Sequence, residues 1–572
     1  MVTRISFLFI VLILLAGCSD REQNSPSADS IFHGGPILTM RGDAPEYVEA
    51  VAIGNGKILV AGDLDAVMDT KGPDSTVRDL HGAALLPGFI DAHGHAFFVG
   101  LQSVIGNVLP QPDGPANDIP SLVQEMQNWT ADNADMIEKL GWIVGMGYDD
   151  YMLAEKRHPT ADDLDQISVD VPVFLIHISG HLAAMNHKGL EVAGITADTP
   201  DPAGGIIRRK ADGQTPNGVI EEAPVIGVLF SILGPLDDAA NDDIAIAGMN
   251  SYASFGFTTA QEGGATGSSV DVWTRVADRG LLDIDVAIYP RIDLEQALME
   301  SIGTRQEYVN GVRVAGVKMS LDGSPQGKTA WLTKPYKTPP EGQSADYAGY
   351  PAIPDPAVVD GYFDVALKNN WQVLVHANGD AASDEMIRAY EKAAGVHGEA
   401  DRRPVMIHAQ TVREDQLDRM QALGIVPSLF PLHTFYWGDW HRDETLGKER
   451  AYRTSPTGSA LNRNMRFTIH HDAPIVAPNS TMVLHTAVNR VSRTGDIIGE
   501  DQRISAYVAL KAITDWAAYQ YFEEGSKGTI EVGKLADLVI LDVDPVAADP
   551  TRIKDINVLE TIKAGRTVYL AD

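Results

Sequence analysis

Short apolar runs recur along the chain, separated by polar and amphipathic stretches long enough for helices. Eight of them are rich in β-forming residues: 84–92 (ALLPGFIDA), 255–260 (FGFTTA), 284–292 (IDVAIYPRI), 312–319 (VRVAGVKM), 371–376 (WQVLVH), 404–408 (PVMIH), 424–430 (GIVPSLF) and 466–470 (RFTIH). Strands alternating with helices argue for a parallel sheet, and eight such units predict an α/β chain built on a closed (β/α)8 TIM-type barrel. Residues 30–86 differ, being short β pieces with Asn55-Gly56 as a hairpin turn between apolar runs. From Gly528 the tail returns to β-type alternation (GTIEVGKLADLVILDVD). The two ends therefore predict a small β-sandwich domain, 30–86 with 526–572, around a barrel body at 87–475 and final barrel helices at 476–525. The interval 96–249 is too long for a simple loop and is expected to carry its own structure over the barrel rim.

Composition narrows the function. With 45 Lys+Arg against 78 Asp+Glu the net charge is −33, which repels phosphate backbones and excludes nucleic acid as a main partner. Hydrophobic residues at 44% and charged residues at 22% are globular values. The single cysteine excludes disulfide frameworks, CxxC redox sites and thiolate zinc sites. It stands at the end of MVTRISFLFIVLILLAGCSD, where Arg4 and the apolar run 5–16 read as a secretory signal over 1–17. Leu15-Ala16-Gly17-Cys18 resembles the bacterial lipobox, which implies lipid modification of Cys18 and a polar tether at 18–29. The expected location is the cell envelope, lipid-anchored at the outer membrane facing the periplasm, with the anchor as the sole membrane contact.

Candidate chemistry sits at strand ends. In His93-Gly94-His95 the residues i and i+2 project to one face, so both imidazoles can reach one cation. His376, His408 and Asp472 close the fifth, sixth and eighth strands. Taken singly each reads as a core or rim residue; together they are hard to assign to packing, because a barrel gathers such endings on the rim that carries active sites. Lys318 closes the fourth strand. Its spacing alone favours a salt bridge to Asp322 or Asp472; the functional alternative is an amine capped by CO₂ as a carbamate that bridges two metals. Gly323–Thr329 (GSPQGKT) has three residues between its glycines where a phosphate-binding loop has four. No G-x-S-x-G or H-E-x-x-H occurs, which removes the main sequence support for serine hydrolases and zincins.

The order His-x-His, Lys, His, His, Asp on successive strands, framed by LLPGFIDAHGH and GTIEVGKLADLVILDVDP, resembles the amidohydrolase superfamily. The stretches HPTADDLDQISVDVPVFLIHISGHLAAMNHKGLEVAGI, VKMSLDGSPQGKTAWLTKPY and SLFPLHTFYWGDWH resemble its amidohydrolase-3, YtcJ-like branch, which includes N-substituted formamide deformylases. The likeness runs from Ile31 to the C-terminus. It implies that His93, His95, Lys318 and Asp472 hold the more buried of two divalent metal ions, with Lys318, as carbamate, reaching the second beside His376 and His408. Imidazole and carboxylate ligands suit Zn²⁺ and leave Mn²⁺, Fe²⁺ and Co²⁺ open. The implied reaction is hydrolysis of a C–N bond in a small-molecule amide, formamide, imide or cyclic amide by a metal-bridging hydroxide. Asp472 is the catalytic group, passing the water proton to the leaving nitrogen. A mononuclear deaminase or esterase of the same fold, and a non-catalytic metal-binding lipoprotein, stay open as alternatives. For substrate, the resemblance points to His181 and Asn186 in SGHLAAMN, Glu222 in GVIEEA and His433 beside Tyr436, Trp437 and Asp439. Helix capping, a solvated carboxylate and core packing are their respective alternatives. Asp322 either orients Lys318 or meets substrate. His187 and His471 depart from the branch pattern and either alter the pocket or fill it. A homodimer is compatible with the family, but no interface is legible.

Overall fold

The computed structural model describes residues 27–571 except 112, 203 and 341, so residues 1–17, where a signal is expected, and Cys18 lie outside the described residues. Among the described residues, no single helix is long and apolar enough to cross a membrane. The eight apolar runs all lie on strands. β1 (Phe89–Ile90), β2 (Phe257–Ala265), β3 (Asp285–Pro290) and β4 (Val312–Val314) form one sheet in that order, every pairing parallel. β5 (Gly316–Ser320), β6 (Gln372–Ala377), β7 (Val405–His408), β8 (Val426–Leu429) and β9 (Thr468–Ile469) form a second, again parallel and in chain order. Only Ala315 separates β4 from β5, and Arg291, just past β3, bridges Lys318 of β5 in parallel sense. Among the described residues no strand pairing joins β9 to β1; the Ile90 amide donates instead to the Ile513 carbonyl.

The local causes are plain. β6 and β7 are buried along their whole length, which is why they read as unbroken apolar runs. The helix Pro356–Lys368 that precedes β6 starts with Pro356 behind the Asp355 cap, which accepts from the Ala357 amide. It buries Val359, Phe363, Ala366 and Leu367, one face of a 3.6-residue repeat. The run 84–92 is shared between two sheets. Ala84–Pro87 belongs elsewhere, and Gly88 turns the chain where any Cβ would come within 2.3 Å of Thr258 Cγ2.

Ala84–Pro87 lies in an eight-stranded sheet made by both chain ends. It pairs with Ala28–Leu38 on one side and antiparallel with Leu538–Leu541 on the other. Pairing continues through Tyr47–Gly54 to Lys57–Gly62 at one edge and through Val558–Lys563 to Arg566–Leu570 at the other. The Asn55-Gly56 turn takes positive φ at both residues (51° and 73°), as a tight hairpin requires. Between β1 and β2 the chain builds a six-stranded sheet from Gly106–Asn107 to Pro216–Glu222 with its own core around Leu122, Met126, Tyr148 and Leu175.

A buried charge cluster ties β3 to the C-terminal segment. Asp285 Oδ2 lies 2.6 Å from Lys527 Nζ and 2.5 Å from Lys563 Nζ; Lys527 also meets Glu523, and Lys563 meets Asp537. Burial pushes the Asp285 carboxyl up, but the two ammonium groups outweigh it and hold it below the usual carboxylate range. Its stabilising contribution is thus complete above the unfolded carboxylate value and is lost as pH falls through the lower folded one. Asp285→Asn leaves Lys527 with Glu523 and Lys563 with Asp537 but removes the carboxylate they share, a change that costs about 1–3 kcal/mol. Urea unfolding is expected to show that loss at neutral pH and a shrinking gap between variant and parent towards acid. Equal midpoints at neutral pH would contradict it.

Candidate metal centre and cavity

Beyond β1 the chain turns tightly through His93-Gly94-His95 into the helix Ala96–Val104. Gly94 is needed there, since a Cβ would fall 2.2 Å from the Tyr252 hydroxyl. Asp91 Oδ1 accepts from the His93 amide and Oδ2 from the Gln261 amide, fixing the loop to β2. Gln261 is itself oriented, because its Nε2 donates to the Ala92 carbonyl and the Tyr521 hydroxyl. Its Oε1 therefore accepts from His93 Nδ1–H at 2.7 Å, leaving the His93 Nε2 lone pair free. That nitrogen faces Lys318 Nζ at 2.9 Å and Asp472 Oδ1 at 3.3 Å; His95 Nε2 lies 3.4 Å from the same oxygen. Asp472 Oδ1 is buried with no hydrogen-bond donor.

A second pair of nitrogens lies close by. His376 Nδ1 faces His408 Nε2 at 3.2 Å. His376 Nε2 bonds the Gly323 carbonyl, and His408 Nδ1 bonds His470 Nε2, whose Nδ1 reaches Ser428 Oγ. With each outer nitrogen donating along these bonds, two bare nitrogens face each other. His408 and Asp472 hold left-handed φ values of 71° and 54°, and such backbone strain concentrates at functional positions. Burial, reinforced by Lys318 and neighbouring imidazoles, holds His93, His376 and His408 well below the ordinary histidine value, so they are neutral donors near pH 7. Burial also brings Lys318 down to about 7, helped by Arg291 and opposed by Asp472. The ligand atoms of His93, His95 and Asp472 converge closely enough to share one cation.

His376, His408 and Asp472 line a cavity with His181, His433 and Ser179. Of the residues expected to meet substrate, His181 and His433 are therefore at its wall. Glu222 stands behind His181, its Oε2 accepting from His181 Nδ1 at 2.8 Å, while its Oε1 has no partner. Burial lowers His181, but Glu222 outweighs it and raises the imidazole above its ordinary value.

Two expectations are corrected. Asn186 is consumed by structure: its Oδ1 caps the helix His187–Val192 at the Gly189 amide and accepts from the Val173 amide, and its Nδ2 serves the Ser168 and Val171 carbonyls. No polar atom of it remains for a ligand. Asp322 contacts neither Lys318 nor the cavity; it accepts the Trp331, Asn378 and Gly379 amides and lies 3.5 Å from His376 Nε2. His187 is half exposed and paired with Asp165, so it neither shapes nor fills the pocket. His471 is buried against Tyr252 and Phe257, with Nε2 3.4 Å from Asp91 Oδ1. Asp439 accepts from Arg442, Ser492 and Thr494. Gln261 and His470, which set the ring orientations, were not among the sequence candidates.

A model of the amidohydrolase family matches residues 76–569. YtcJ of Bacillus subtilis (strain 168) is 26% identical over 552 residues, covering 94% of this chain and 99% of that protein. The N-substituted formamide deformylase of Arthrobacter pascens is 26% identical over 536 residues, covering 91% of this chain and 95% of the other. Among solved structures, a metal-dependent hydrolase from Pyrococcus horikoshii OT3 superposes with a TM-score of 0.72 at 24% identity, over 91% of this chain and 99% of that one. With its matched region running from the chain-end sheet through every strand of the parallel set, the chain belongs to the amidohydrolase family and is a hydrolase.

Proposed function

We propose that the chain hydrolyses a C–N bond in a small amide, an N-substituted formamide, an imide or a cyclic amide, with two divalent cations as cofactors. The two parallel sheets are read as arcs of one (β/α)8 barrel, their sequential order supporting this, with the site at the C-terminal ends of the strands. The observation that carries the proposal is the convergence of ligand-type atoms: His93 Nε2 and His95 Nε2 on the unpartnered Asp472 Oδ1, and His376 Nδ1 facing His408 Nε2. The first set would hold one cation and the second pair another. Lys318, whose charge acts on His93, His376 and His408 alike, would bridge them once its neutral amine has taken up CO₂ as a carbamate. Thiolate-free nitrogen and oxygen ligands suit zinc. Bound cations of this kind supply Lewis acidity that polarises a carbonyl and makes water acidic near neutral pH.

The chain's own groups supply orientation and proton movement. Gln261 fixes which nitrogen of His93 is bare, and His376 Nε2 is held between the Gly323 carbonyl and Asn378 Nδ2. Asp472, at the cavity wall, takes the proton of the attacking water and delivers it to the departing nitrogen, which must leave protonated. His181, oriented by Glu222, and His433 contact the substrate from the cavity wall. The relative named as a formamide deformylase supports this bond class. An envelope anchor through Cys18 rests on the sequence pattern alone.

The test is a hydrolysis screen of zinc-loaded protein over N-formyl, N-acyl and cyclic amides, with metal content measured on the same preparation. Amine release that disappears with the metal, at two ions per chain, is the expected result. Protein that carries two ions and cleaves no member of the panel would end the proposal, and a single ion would favour a mononuclear hydrolase.

A further inference from the structure

Ser179 reaches the cavity from the inserted six-stranded sheet, and its side chain ends a buried relay that the metal centre does not use. Ser179 Oγ lies 2.9 Å from His177 Nδ1, and His177 Nε2 lies 3.0 Å from Asp150 Oδ1. The relative exposures of Ser179 and His177 are 3% and 1%, so bulk water does not compete for these bonds. The neighbours settle the direction of each proton. Burial pushes Asp150 up, but His158, His177 and Arg208 outweigh it and keep the carboxylate ionised. It can only accept, so His177 carries its proton on Nε2 and presents a lone pair at Nδ1. The Ser179 amide donates to that nitrogen at 3.1 Å, and the hydroxyl oxygen stands 2.9 Å from it, within reach of proton transfer. Ser179 Oγ meanwhile accepts from the His181 amide at 3.2 Å, leaving its other lone pair for the cavity. Asp149, Asp150 and His177 are also close enough to share a cation. Both His177 nitrogens are engaged, however, and Asp149 is taken by the Trp437 indole and the Tyr151 amide. What remains is a nucleophile, a base and an orienting carboxylate in hydrogen-bonded order.

We propose that Ser179 is a second reactive group of the cavity, a nucleophile with His177 as base and Asp150 as its positioning carboxylate, accepting acyl groups from small carboxylic esters. In this step the Ser179 Oγ–acyl carbon bond forms as the hydroxyl proton passes to His177 Nδ1. The ester C–O bond then breaks, and the same proton leaves on the alcohol. Water repeats the sequence at the acyl-serine, releasing the acid. The assignment does not rest on the metal reading, and its readout is a covalent adduct rather than turnover.

Metal-loaded protein is treated with methanesulfonyl fluoride, a compact reagent whose serine adduct does not hydrolyse, and the peptide carrying Ser179 is followed by mass spectrometry. The Oγ–S bond forms, fluoride departs and the proton goes to His177 Nδ1. Modification at Ser179 at least about 100-fold faster than of N-acetylserinamide is expected from general-base assistance. Asp150→Asn and His177→Gln are each expected to slow it at least about tenfold, since both disturb the base. An unmodified Ser179, or a rate that ignores both substitutions, overturns the proposal. The comparison of parent protein with the free serine amide decides the matter even if neither variant folds.

Discussion

Lys318→Ala is expected to take bound divalent metal from two ions per chain towards one and to cut turnover by about 10³-fold, or about 4 kcal/mol in the barrier. Lys318 Nζ lies 2.9 Å from the bare nitrogen of His93 and acts on two further neutral imidazoles. An ammonium there would oppose any cation those nitrogens hold. Burial lowers the group to about 7, so a neutral amine, the form that the proposed CO₂ capture needs, is well populated near neutral pH. Such a capture would form an N–C bond, release a proton and leave an anion with two oxygens. Acetate or propionate, filling the alanine variant's gap, should restore part of both the metal and the rate. Lys318→Arg separates this role from a simple ion pair with Asp472, because arginine keeps the charge but has no accessible neutral form. If the arginine variant kept two ions and full turnover, the carbamate would have no role.

Asp472→Asn is expected to lower kcat by about 10²- to 10⁴-fold, the usual range for loss of a proton-carrying group, with KM changed far less. The asparagine oxygen still faces His93 and His95, so much of the metal should stay bound. That combination distinguishes a proton carrier from a ligand whose loss empties the site. The measurement is kcat and KM alongside metal content on one preparation, and a variant with near-parental kcat would remove Asp472 from the proton pathway.

The eight apolar runs locate every strand of the parallel set, because a strand buried on both faces has no polar alternation to blur it. The two breaks, at Gly88 and at Ala315, leave no such mark, since each depends on which neighbour the backbone reaches. His93, His95, Lys318, His376, His408 and Asp472 were legible as a group because strand endings are positions that topology brings together. Asn186 misled because a polar residue among apolar ones looks alike whether it binds a ligand or caps a helix. Asp322 misled through proximity in sequence to Lys318, when its partners come from the loops at 331 and 378–379. Gln261 and His470 escaped notice because a lone polar side chain inside a strand gives no sign of which ring it steadies. The Ser179 relay escaped for a further reason. Asp150 is 27 residues from His177, and the sheet of the insertion, not a local motif, brings them together.

The sheet shared by both chain ends sets the timing of folding. Ala84–Pro87 needs Leu538–Leu541 beside it, so a nascent chain cannot complete its N-terminal sheet until nearly all of it has left the ribosome. At about 5–20 residues per second, that strand waits with an unpaired edge for tens of seconds. Early termination within the last few dozen codons would therefore damage the start of the molecule, leaving a sticky β edge exposed to aggregation far from the missing residues.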